Sequence, residues 1–367
     1  MRSLLKKDPV LCISALAAAL SMLWTPPSAA YLDYLDLRVL ALLFSLMVVV
    51  SGLREAGLFD RVVFRLLSLA RNTRTLALVL VGACFFSSML VTNDVALLTF
   101  VPLSILILDR AGQERLRIPV IALQTVGANL GSMLTPMGNP QNLYLYSLSG
   151  MSAGEFLRVT GPVTAMALVL LMTVTLLLVQ PVPVPPPSVP PEERGAGKWL
   201  ALFGLCLLTV LRILPWGITL TAVTAAALLW NRNLLRRADY GLLLTFVFFF
   251  VFVGNLKQVP AVSALLSRLI AGRELTVGIL LSQVISNVPA AMLLSGFTTD
   301  YVPLLLGVNL GGLGTLIASM ASLISYKLYT AADRPRPLAY LGWFTVLNGG
   351  LLAALWAAAA FIPGMVP

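Results

Sequence analysis

One carboxylate lies in the middle of an apolar stretch of this chain. Residues Met89–Phe100 read MLVTNDVALLTF and place Thr92, Asn93 and Asp94 between runs of aliphatic side chains. A charge inside the hydrocarbon core of a membrane costs at least about 2–3 kcal/mol, so intramembrane acids usually serve a function. Two roles suit Asp94: it could be a ligand of a cation, or a carboxyl that takes up and releases protons.

Three other stretches interrupt apolar segments with polar or helix-breaking residues. They are ISNVPAAMLL (285–294), GSMLTPMGNPQN (131–142) and GGLGTLIAS (311–319). Backbone groups freed from helical hydrogen bonds are tolerated at membrane depth only where they line a cavity or meet a polar group. Unwound carbonyls with Asn, Ser and Thr oxygens suit a hard cation such as Na⁺, whereas the N-termini of half-helices suit an anion. For the glycines of the third stretch, close helix packing is an equally good explanation.

The composition places these stretches in a membrane protein. Of the 367 residues, 59% are hydrophobic and 11% are charged, whereas a soluble domain has roughly a quarter of its residues charged. We therefore predict an all-α, polytopic protein of the bacterial cytoplasmic membrane, with the lipid bilayer as its surroundings. Tyr144 and Tyr146 are typical of an aromatic belt at the membrane interface.

The distribution of basic residues gives the orientation. The net charge of +10 could suit nucleic acid, but basic residues concentrated on the cytoplasmic side of a membrane explain it better, so no nucleic-acid partner is expected. With the N-terminus in the cytoplasm, only six of the 25 Lys and Arg residues fall outside. These six are Arg38, Arg158, Arg212, Lys257, Arg268 and Arg273.

Residue types argue against an enzyme. The chain has no histidine, and its cysteines, Cys12, Cys84 and Cys206, form no metal or redox motif. The other acidic residues fall in loops, at interfaces or at span ends, and no Lys or Arg lies in an apolar segment near Asp94. An intramembrane enzyme would need paired acids, a serine with a base, or a metal cluster. We expect no catalytic residues and no metal beyond a coupling ion.

The two halves of the chain resemble each other. With a shift of 180 residues, Gly127, Asn129, Gly131 and Tyr146 coincide with Gly307, Asn309, Gly311 and Tyr326. The predicted division is an N-terminal transmembrane helix (1–36), a first repeat (37–179, hairpin 75–109, broken helix 118–148), a proline-rich cytoplasmic linker (180–198), two transmembrane helices (199–239) and a second repeat (240–367, hairpin 275–297, broken helix 301–328). The N-terminus also imitates a secretory signal, but its removal would leave this topology one span short.

The repeats are predicted to have inverted topology, because the first broken helix enters from the cytoplasm and the second from outside. Inverted repeats are typical of secondary transporters that work by alternating access. The arms of the second hairpin would be only about 18 and 12 Å long as helices, too short for a hydrocarbon core of about 30 Å. A re-entrant hairpin is therefore predicted there. The arms of the first hairpin are longer and could form either a re-entrant hairpin or two full membrane spans. The symmetry of the repeats favours a re-entrant hairpin.

These motifs, TND, GANLGSMLTPMGNPQN and SNVP, resemble those of the ion transporter superfamily. That superfamily contains arsenite permease and sodium/proton antiporter branches and the divalent anion/sodium symporters, including citrate carriers. The resemblance implies a scaffold domain, a transport domain that moves like an elevator, and often a homodimer. Tips of the carboxylate carriers read Ser-Asn-Thr, whereas the tips here end in Asp94 and Val288.

The resemblance also assigns residues. Asn93 and Asn287 would help form cation sites with the carbonyls near 135–138 and 312–315, and the solute would lie between the tips. The predicted cation-binding residues are Thr92, Asn93, Asp94, Thr135, Gly138, Ser286, Asn287, Gly312 and Thr315. The predicted substrate-binding residues are Asn129, Asn139, Gln141, Asn142, Pro289 and Asn309.

Two functional hypotheses follow. The first is a secondary transporter of a small inorganic or organic anion or oxyacid, coupled to Na⁺ or H⁺ and needing no other cofactor. The alternative is a Na⁺/H⁺ antiporter or an arsenite-type efflux permease in which Asp94 carries the cation or the proton. A channel is disfavoured by the inverted hairpins.

Overall fold

Helices account for nearly all the regular structure of the part of the chain that the computed structural model describes, residues 9–67, 70–184 and 195–359. Within these ranges there are eighteen α-helices, and pairing between extended segments is confined to an isolated bridge between Asn72 and Pro183. The helices are α1 (Pro9–Ser21), α2 (Leu37–Glu55), α3 (Leu58–Leu67), α4 (Thr73–Val91), α5 (Asn93–Arg110), α6 (Arg117–Gly131), α7 (Pro140–Ser149), α8 (Ala153–Leu178), α9 (Gly197–Val210), α10 (Trp216–Trp230), α11 (Asn233–Arg237), α12 (Tyr240–Lys257), α13 (Pro260–Ile270), α14 (Glu274–Ile285), α15 (Asn287–Ser295), α16 (Tyr301–Leu310), α17 (Met320–Thr330) and α18 (Pro337–Ala359).

Five of the described helices, α2, α4, α8, α12 and α18, are long and apolar enough to cross a membrane. This confirms the predicted all-helical, polytopic class. The inverted orientation of the repeats and the re-entrant course of the hairpins stay predictions. For the first hairpin both possibilities stay open, because its arms α4 and α5 have 19 and 18 residues, or about 27–29 Å at 1.5 Å per residue.

One group of helices forms a platform. Helix α12 packs against α1, and α2 packs against α9 and α10. The contact between α2 and α9 is tight because Trp199 lies directly on Gly52, where a Cβ would overlap the indole ring. Trp199 also meets Trp230 edge to face, with ring centroids 5.4 Å apart. We call α1, α2, α9, α10 and α12 the platform helices.

The hairpins and broken helices of the two repeats pack against each other. Helix α4 packs against α6, and α14 against α16, so each hairpin contacts the first half of its own broken helix. The second halves cross over: α7 packs against α15 and α16, whereas α17 packs against α5 and α6. The hairpins and broken helices of both repeats are thereby held in one interlocked unit, which we call the hairpin unit.

The two hairpin tips have the same backbone geometry. Thr92 joins α4 to α5 at φ 76° and ψ 149°, and Ser286 joins α14 to α15 at φ 77° and ψ 154°. Positive φ is uncommon for residues with a Cβ. At each tip the next N–H binds a carbonyl of the opposed broken helix: Asn93 donates to Gly138 at 3.3 Å, and Asn287 donates to Ala318 at 2.9 Å.

The broken helices unwind over matching stretches. The first has a short 3₁₀ turn and an extended segment between Gly131 and Pro140, and the second runs without helix from Gly311 to Ser319. We call these stretches loop 1 (131–139) and loop 2 (311–319). Each begins with a glycine that allows close approach of a hairpin arm, since a Cβ on Gly311 would lie 2.7 Å from the Ser282 hydroxyl.

The start of the proline-rich linker is attached to the first hairpin. The backbone N–H of Thr73 donates to the Val182 carbonyl at 2.8 Å, and the Val182 N–H donates to Thr73 Oγ1 at 2.9 Å. The hydroxyl of Thr73 also donates to the Gln180 carbonyl. Residues 185–194 of the predicted linker, and the ends of the predicted terminal segments at 1–8 and 360–367, lie outside the described residues.

Candidate transport site

A cavity of about 560 Å³ lies between the platform and the hairpin unit. Helix α2 and the start of α12 form one wall, and the first tip, α5 and α7 form the other. Thr92, Asp94 and Asn139 bring polar atoms to the second wall. The volume suits a small solute, since ligand sites typically range over about 300–1,000 Å³.

Asp94 lies in the first turn of α5, one residue beyond the tip asparagine. Its backbone N–H donates to Asn93 Oδ1 at 2.9 Å. One carboxylate oxygen, Oδ1, is buried and receives no hydrogen bond from the described residues. The N-terminus of a helix favours negative charge, so the position supports a carboxylate.

Asn139 supplies a second oxygen of this kind. The residue is 2% exposed, and its amide nitrogen donates to Ser132 Oγ at 2.5 Å. Its Oδ1 is buried without a hydrogen-bond partner among the described residues. Buried polar atoms are nearly always hydrogen-bonded. Two unpartnered oxygens in the wall of one cavity therefore point to a ligand that is a cation or a hydrogen-bond donor.

Charged side chains line the part of the cavity that is open to solvent. Arg54 and Glu55 at the end of α2, and Arg237 and Asp239 before α12, are exposed and line the same cavity. Glu55 and Arg237 form an ion pair at 3.6 Å. Sequence reasoning missed the two arginines as partners of the site, because neither lies in an apolar segment near Asp94. Only the packing of α2 and α12 against the first hairpin brings them to one cavity.

Asn129 connects the first tip with loop 2. Its Oδ1 accepts from Asn93 Nδ2 and from Ser319 Oγ, each at 3.0 Å. Its Nδ2 donates to the Gly312 carbonyl at 3.3 Å. The predicted residues Asn93, Asn129 and Gly312 thus meet in one hydrogen-bond network. Because both polar atoms of the Asn129 amide are used by protein groups, the structure gives it a linking position rather than a place on the cavity wall.

Asn142 fills the interior of loop 1. Its amide nitrogen lies 3.0, 3.3 and 3.1 Å from the carbonyl oxygens of Ser132, Met133 and Thr135. Its Oδ1 accepts from Asn309 Nδ2 at 2.7 Å. Both predicted residues are therefore buried in a network between the two repeats.

A residue that the sequence analysis did not select occupies loop 2. The Gln283 amide nitrogen donates to the carbonyls of Gly311 and Leu313, both at 2.9 Å. Its Oε1 accepts from the Thr315 N–H at 2.9 Å, and the Thr315 hydroxyl donates to the Gln283 carbonyl at 3.1 Å. The signal available in the sequence was an amide side chain three residues before the second tip, inside an apolar arm.

The other predicted residues lie around the tips but do not line this cavity. Thr135 donates its hydroxyl to the Met89 carbonyl. Ser286 Oγ is 3.4 Å from the Ala318 carbonyl. Pro289 is buried in α15, and Gln141 is buried with an unpartnered Nε2. Of the fifteen predicted residues, Thr92, Asp94 and Asn139 line the cavity.

One sequence-based interpretation needs correction. Tyr144 and Tyr146 were predicted for an interfacial belt, but they are only 7% and 3% exposed. Tyr144 packs on the phenylalanines of α12, and its hydroxyl is hydrogen-bonded to Ser295 Oγ at 2.9 Å. Glu274, one of the acidic residues expected in loops, at interfaces or at span ends, does lie at the start of α14, where it is buried with Oε1 accepting from Thr298.

Comparisons with known proteins agree with this architecture. The family described as citrate transporter (CitMHS) matches residues 4–321. An uncharacterized transporter of Methanocaldococcus jannaschii is 30% identical over 315 residues, covering 84% of this chain and 83% of the relative. The inner membrane protein YbiR of Escherichia coli is 33% identical over 312 residues, covering 82% of this chain and 81% of the relative.

A shorter similarity concerns a plant protein. The silicon efflux transporter LSI3 of rice is 35% identical over 124 residues, which are 34% of this chain and 25% of the relative. The family match covers most of the chain, including both tips and both unwound loops, and it confirms the resemblance to the ion transporter superfamily. The chain belongs to the citrate transporter family, and the names of the family and of these relatives indicate a membrane transporter.

Proposed function

We propose that this protein is a secondary active transporter that couples the movement of a small anion or oxyacid to Na⁺ or H⁺. The observation that carries the proposal is the cavity between the platform and the hairpin unit, which is lined by Asp94, a residue whose buried Oδ1 receives no hydrogen bond from the described residues. A carboxylate so placed is stable only with a cation or a proton close by.

The cavity separates two kinds of polar group. Asp94, Asn139 and Thr92 supply oxygens deep in the cavity, which suit the coupling ion or the hydroxyl groups of an oxyacid. Arg54, Glu55, Arg237 and Asp239 line the exposed part with two charges of each sign, and its two arginines are the groups that would meet an anion. In this proposal an anion and a cation bind together, because Asp94 repels an anion unless its charge is neutralised.

The proposal also covers the orientation in the membrane and the transport cycle. The predicted orientation puts the N-terminus and the exposed side of the cavity in the cytoplasm, and the E. coli relative is named an inner membrane protein. We propose an elevator-like cycle in which the hairpin unit moves against the platform helices, in a homodimer. The two units pack together through apolar side chains, as where Tyr144 meets Phe246 and Phe250 of α12, and the cavity interrupts this contact beside Asp94.

A second candidate is an efflux carrier of a weak oxyacid or an antiporter, with Asp94 as the cation or proton carrier. The specific observation in its favour is that the unpartnered side-chain atoms of the cavity wall, Asp94 Oδ1 and Asn139 Oδ1, are both oxygens. Such atoms accept hydrogen bonds from the hydroxyls of a neutral oxyacid or coordinate a cation, and neither use requires an anion. The rice relative named a silicon efflux transporter fits this alternative.

The deciding experiment measures transport currents. Purified protein is reconstituted in liposomes, and solid-supported-membrane currents are recorded with imposed Na⁺ and pH gradients and with citrate, succinate, sulfate, phosphate or arsenite. We expect a current that needs both one of these solutes and the cation gradient, and that falls at least tenfold in Asp94→Asn. The amide keeps the shape of the carboxylate but removes its charge.

The matched control is Asp300→Asn. Asp300 is an exposed carboxylate before α16 that does not line the cavity, so this variant should keep the wild-type current. Current from opposed Na⁺ and H⁺ gradients without any added solute would establish the antiporter instead. Full activity of Asp94→Asn with an unchanged cation dependence would overturn both candidates.

A further inference from the structure

The two unwound loops have matching sequence positions and face hairpin tips of the same backbone geometry, but different groups occupy them. Loop 1 faces the tip at Thr92, and loop 2 faces the tip at Ser286, with the same positive φ at both tips. Each loop contains a threonine whose hydroxyl binds the first arm of the facing hairpin: Thr135 donates to the Met89 carbonyl, and Thr315 donates to the Gln283 carbonyl. Met89 and Gln283 are therefore matched positions with different side chains.

Loop 2 is closed by the carboxamide of Gln283. The two hydrogens of the amide nitrogen satisfy the Gly311 and Leu313 carbonyls, both at 2.9 Å, and the amide oxygen receives the Thr315 N–H at 2.9 Å. Gly314, at φ 103°, leaves room for this group, because a Cβ there would overlap Gln283 Oε1. The loop is thus shaped around the carboxamide, which uses both its donors and its acceptor.

Loop 1 receives no such group from its hairpin. Met89 offers no donor, and the carbonyls inside loop 1 are instead bonded by Asn142 from α7 of the same broken helix. The residue of α17 that matches Asn142 is Ser322. The amide of loop 1 therefore belongs to the broken helix itself, whereas the amide of loop 2 comes across from the hairpin arm.

The two tips also differ in charge. Asp94 after the first tip is matched by Val288 after the second. Asn139, whose Oδ1 is unpartnered, is matched by Ser319, whose hydroxyl donates to Asn129. Near loop 2 the neutral amide oxygen Asn309 Oδ1 is unpartnered, but no carboxylate follows that tip.

We propose that the Gln283 carboxamide replaces a second coupling ion in loop 2, so that this transporter binds a single cation per cycle, at the first tip beside Asp94. The inference rests on the proposed cation coupling and adds its stoichiometry. Carbonyl oxygens are ligands of hard cations, and the amide hydrogens of Gln283 satisfy those of loop 2 with partial positive charge. Asn142 does the same for carbonyls of loop 1, so the ion at the first tip is assigned to the side-chain oxygens of Asp94 and Asn139, which receive no hydrogen bond from the described residues. The fixed amide keeps loop 2 folded throughout the cycle, whereas occupancy of the first tip depends on the ion gradient.

The first test measures the stoichiometry of the wild-type protein. In proteoliposomes, the reversal potential of the solute current is measured against imposed Na⁺ and H⁺ gradients, and it should correspond to one cation per solute. The Hill coefficient for the coupling ion should be about 1. A reversal potential that requires two cations, or a Hill coefficient near 2 that Asp94→Asn lowers to 1, would overturn the inference and leave the proposed function intact.

The second test changes Gln283 itself. Gln283→Glu replaces the amide donor by a carboxylate next to the Gly311 and Leu313 carbonyls, and should create a cation requirement: the Hill coefficient for Na⁺ rises toward 2, and Na⁺ raises the melting temperature of the purified protein. Gln283→Met, which copies the first hairpin, should lower the melting temperature without any gain in Na⁺ dependence. Gln258→Glu, the same change at an exposed residue after α12, is the matched control.

The outcomes distinguish a failure of the role inferred for Gln283 from a failure of the proposed cation coupling. No Na⁺-dependent gain in Gln283→Glu, or a gain of equal size in Gln258→Glu, would contradict the role of Gln283 as an ion substitute. The absence of any cation effect on wild-type transport would overturn the proposed coupling, and with it this inference.

Discussion

Gly131 lies against the main chain of Phe85, at the point where α6 ends and loop 1 begins. A Cβ at this position would overlap the Phe85 carbonyl oxygen and would lie 2.7 Å from Ser88 Oγ. Backbone atoms cannot move aside as a flexible side chain can, so this approach is open to glycine alone. The residue therefore sets the distance between the first hairpin and the broken helix, and with it the position of Asp94.

We expect Gly131→Ala to destabilise the protein by about 1–3 kcal/mol, the usual range for overpacking, and to lower its melting temperature in detergent. Gly161→Ala on α8 is the control, because no atom lies within 4 Å of the added Cβ. Alanine is also the better helix former, so the melting temperature of this control should stay the same or rise. Equal melting temperatures for Gly131→Ala and wild type would contradict the steric argument.

At the scale of elements, the first arm of the first hairpin is tied to the start of the linker between the halves. Thr73 is fully buried, and its hydroxyl both donates to the Gln180 carbonyl and accepts from the Val182 N–H. The Arg74 guanidinium adds a bond to the Val179 carbonyl at 2.8 Å. These bonds make residues 179–182 part of the hairpin unit, so that the linker begins on the element that carries the first tip.

Thr73→Val should release this attachment, because valine keeps the shape of threonine but leaves the Val182 N–H and the Gln180 carbonyl without their side-chain partner. Gln180 is exposed and Val182 is half-buried, so the loss of each hydrogen bond costs about 0.5–1.5 kcal/mol. Hydrogen exchange followed by mass spectrometry should show faster exchange at residues 180–184. Thr221→Val, which removes an exposed hydroxyl bonded only within α10, should leave this exchange unchanged; protection of 180–184 in Thr73→Val would show that other contacts hold the segment.

For the whole molecule, the important division is between the platform helices and the hairpin unit. The broken helices exchange their second halves, α7 and α17, between the repeats, which makes the hairpin unit one interlocked body. The platform meets it across the cavity, with α2 on one wall and α5 on the other. An elevator-like cycle requires these walls to slide past each other, so restraining them should stop transport without unfolding either part.

A reversible cross-link tests this motion. Ser51 on α2 and Val95 on α5 both line the cavity, and they are changed to cysteine after Cys12, Cys84 and Cys206 have been replaced by alanine. We expect a bifunctional thiol reagent to abolish transport in the double variant and reduction to restore it. Each single-cysteine variant treated with the same reagent is the control for blockage of the cavity by the label alone. Undiminished transport by fully cross-linked protein would contradict sliding at this contact.

The sequence by itself determined the class of this protein and the positions where its helices break. Apolar segments, isolated polar residues and clusters of Gly and Pro are local properties, and the cost of polar groups in a membrane is set by local composition. Asp94, both tips and both loops could therefore be selected from the sequence. The helices start and end within a few residues of the predicted segments, for example α14 and α15 at 274–285 and 287–295 for the hairpin at 275–297.

Only the tertiary structure decided which of these groups are satisfied by the protein and which are left for a ligand. Hydrogen-bond partners lie far apart in the chain: Asn129 and Ser319 are 190 residues apart, and Gln283 and Gly311 are 28 apart. The sequence therefore could not distinguish Asn139, which lines the cavity and whose buried Oδ1 has no partner among the described residues, from Asn129, whose amide is fully used. For the same reason it did not select Gln283, or place Arg54 and Arg237 on the wall that faces Asp94, because these assignments depend on how separate helices pack.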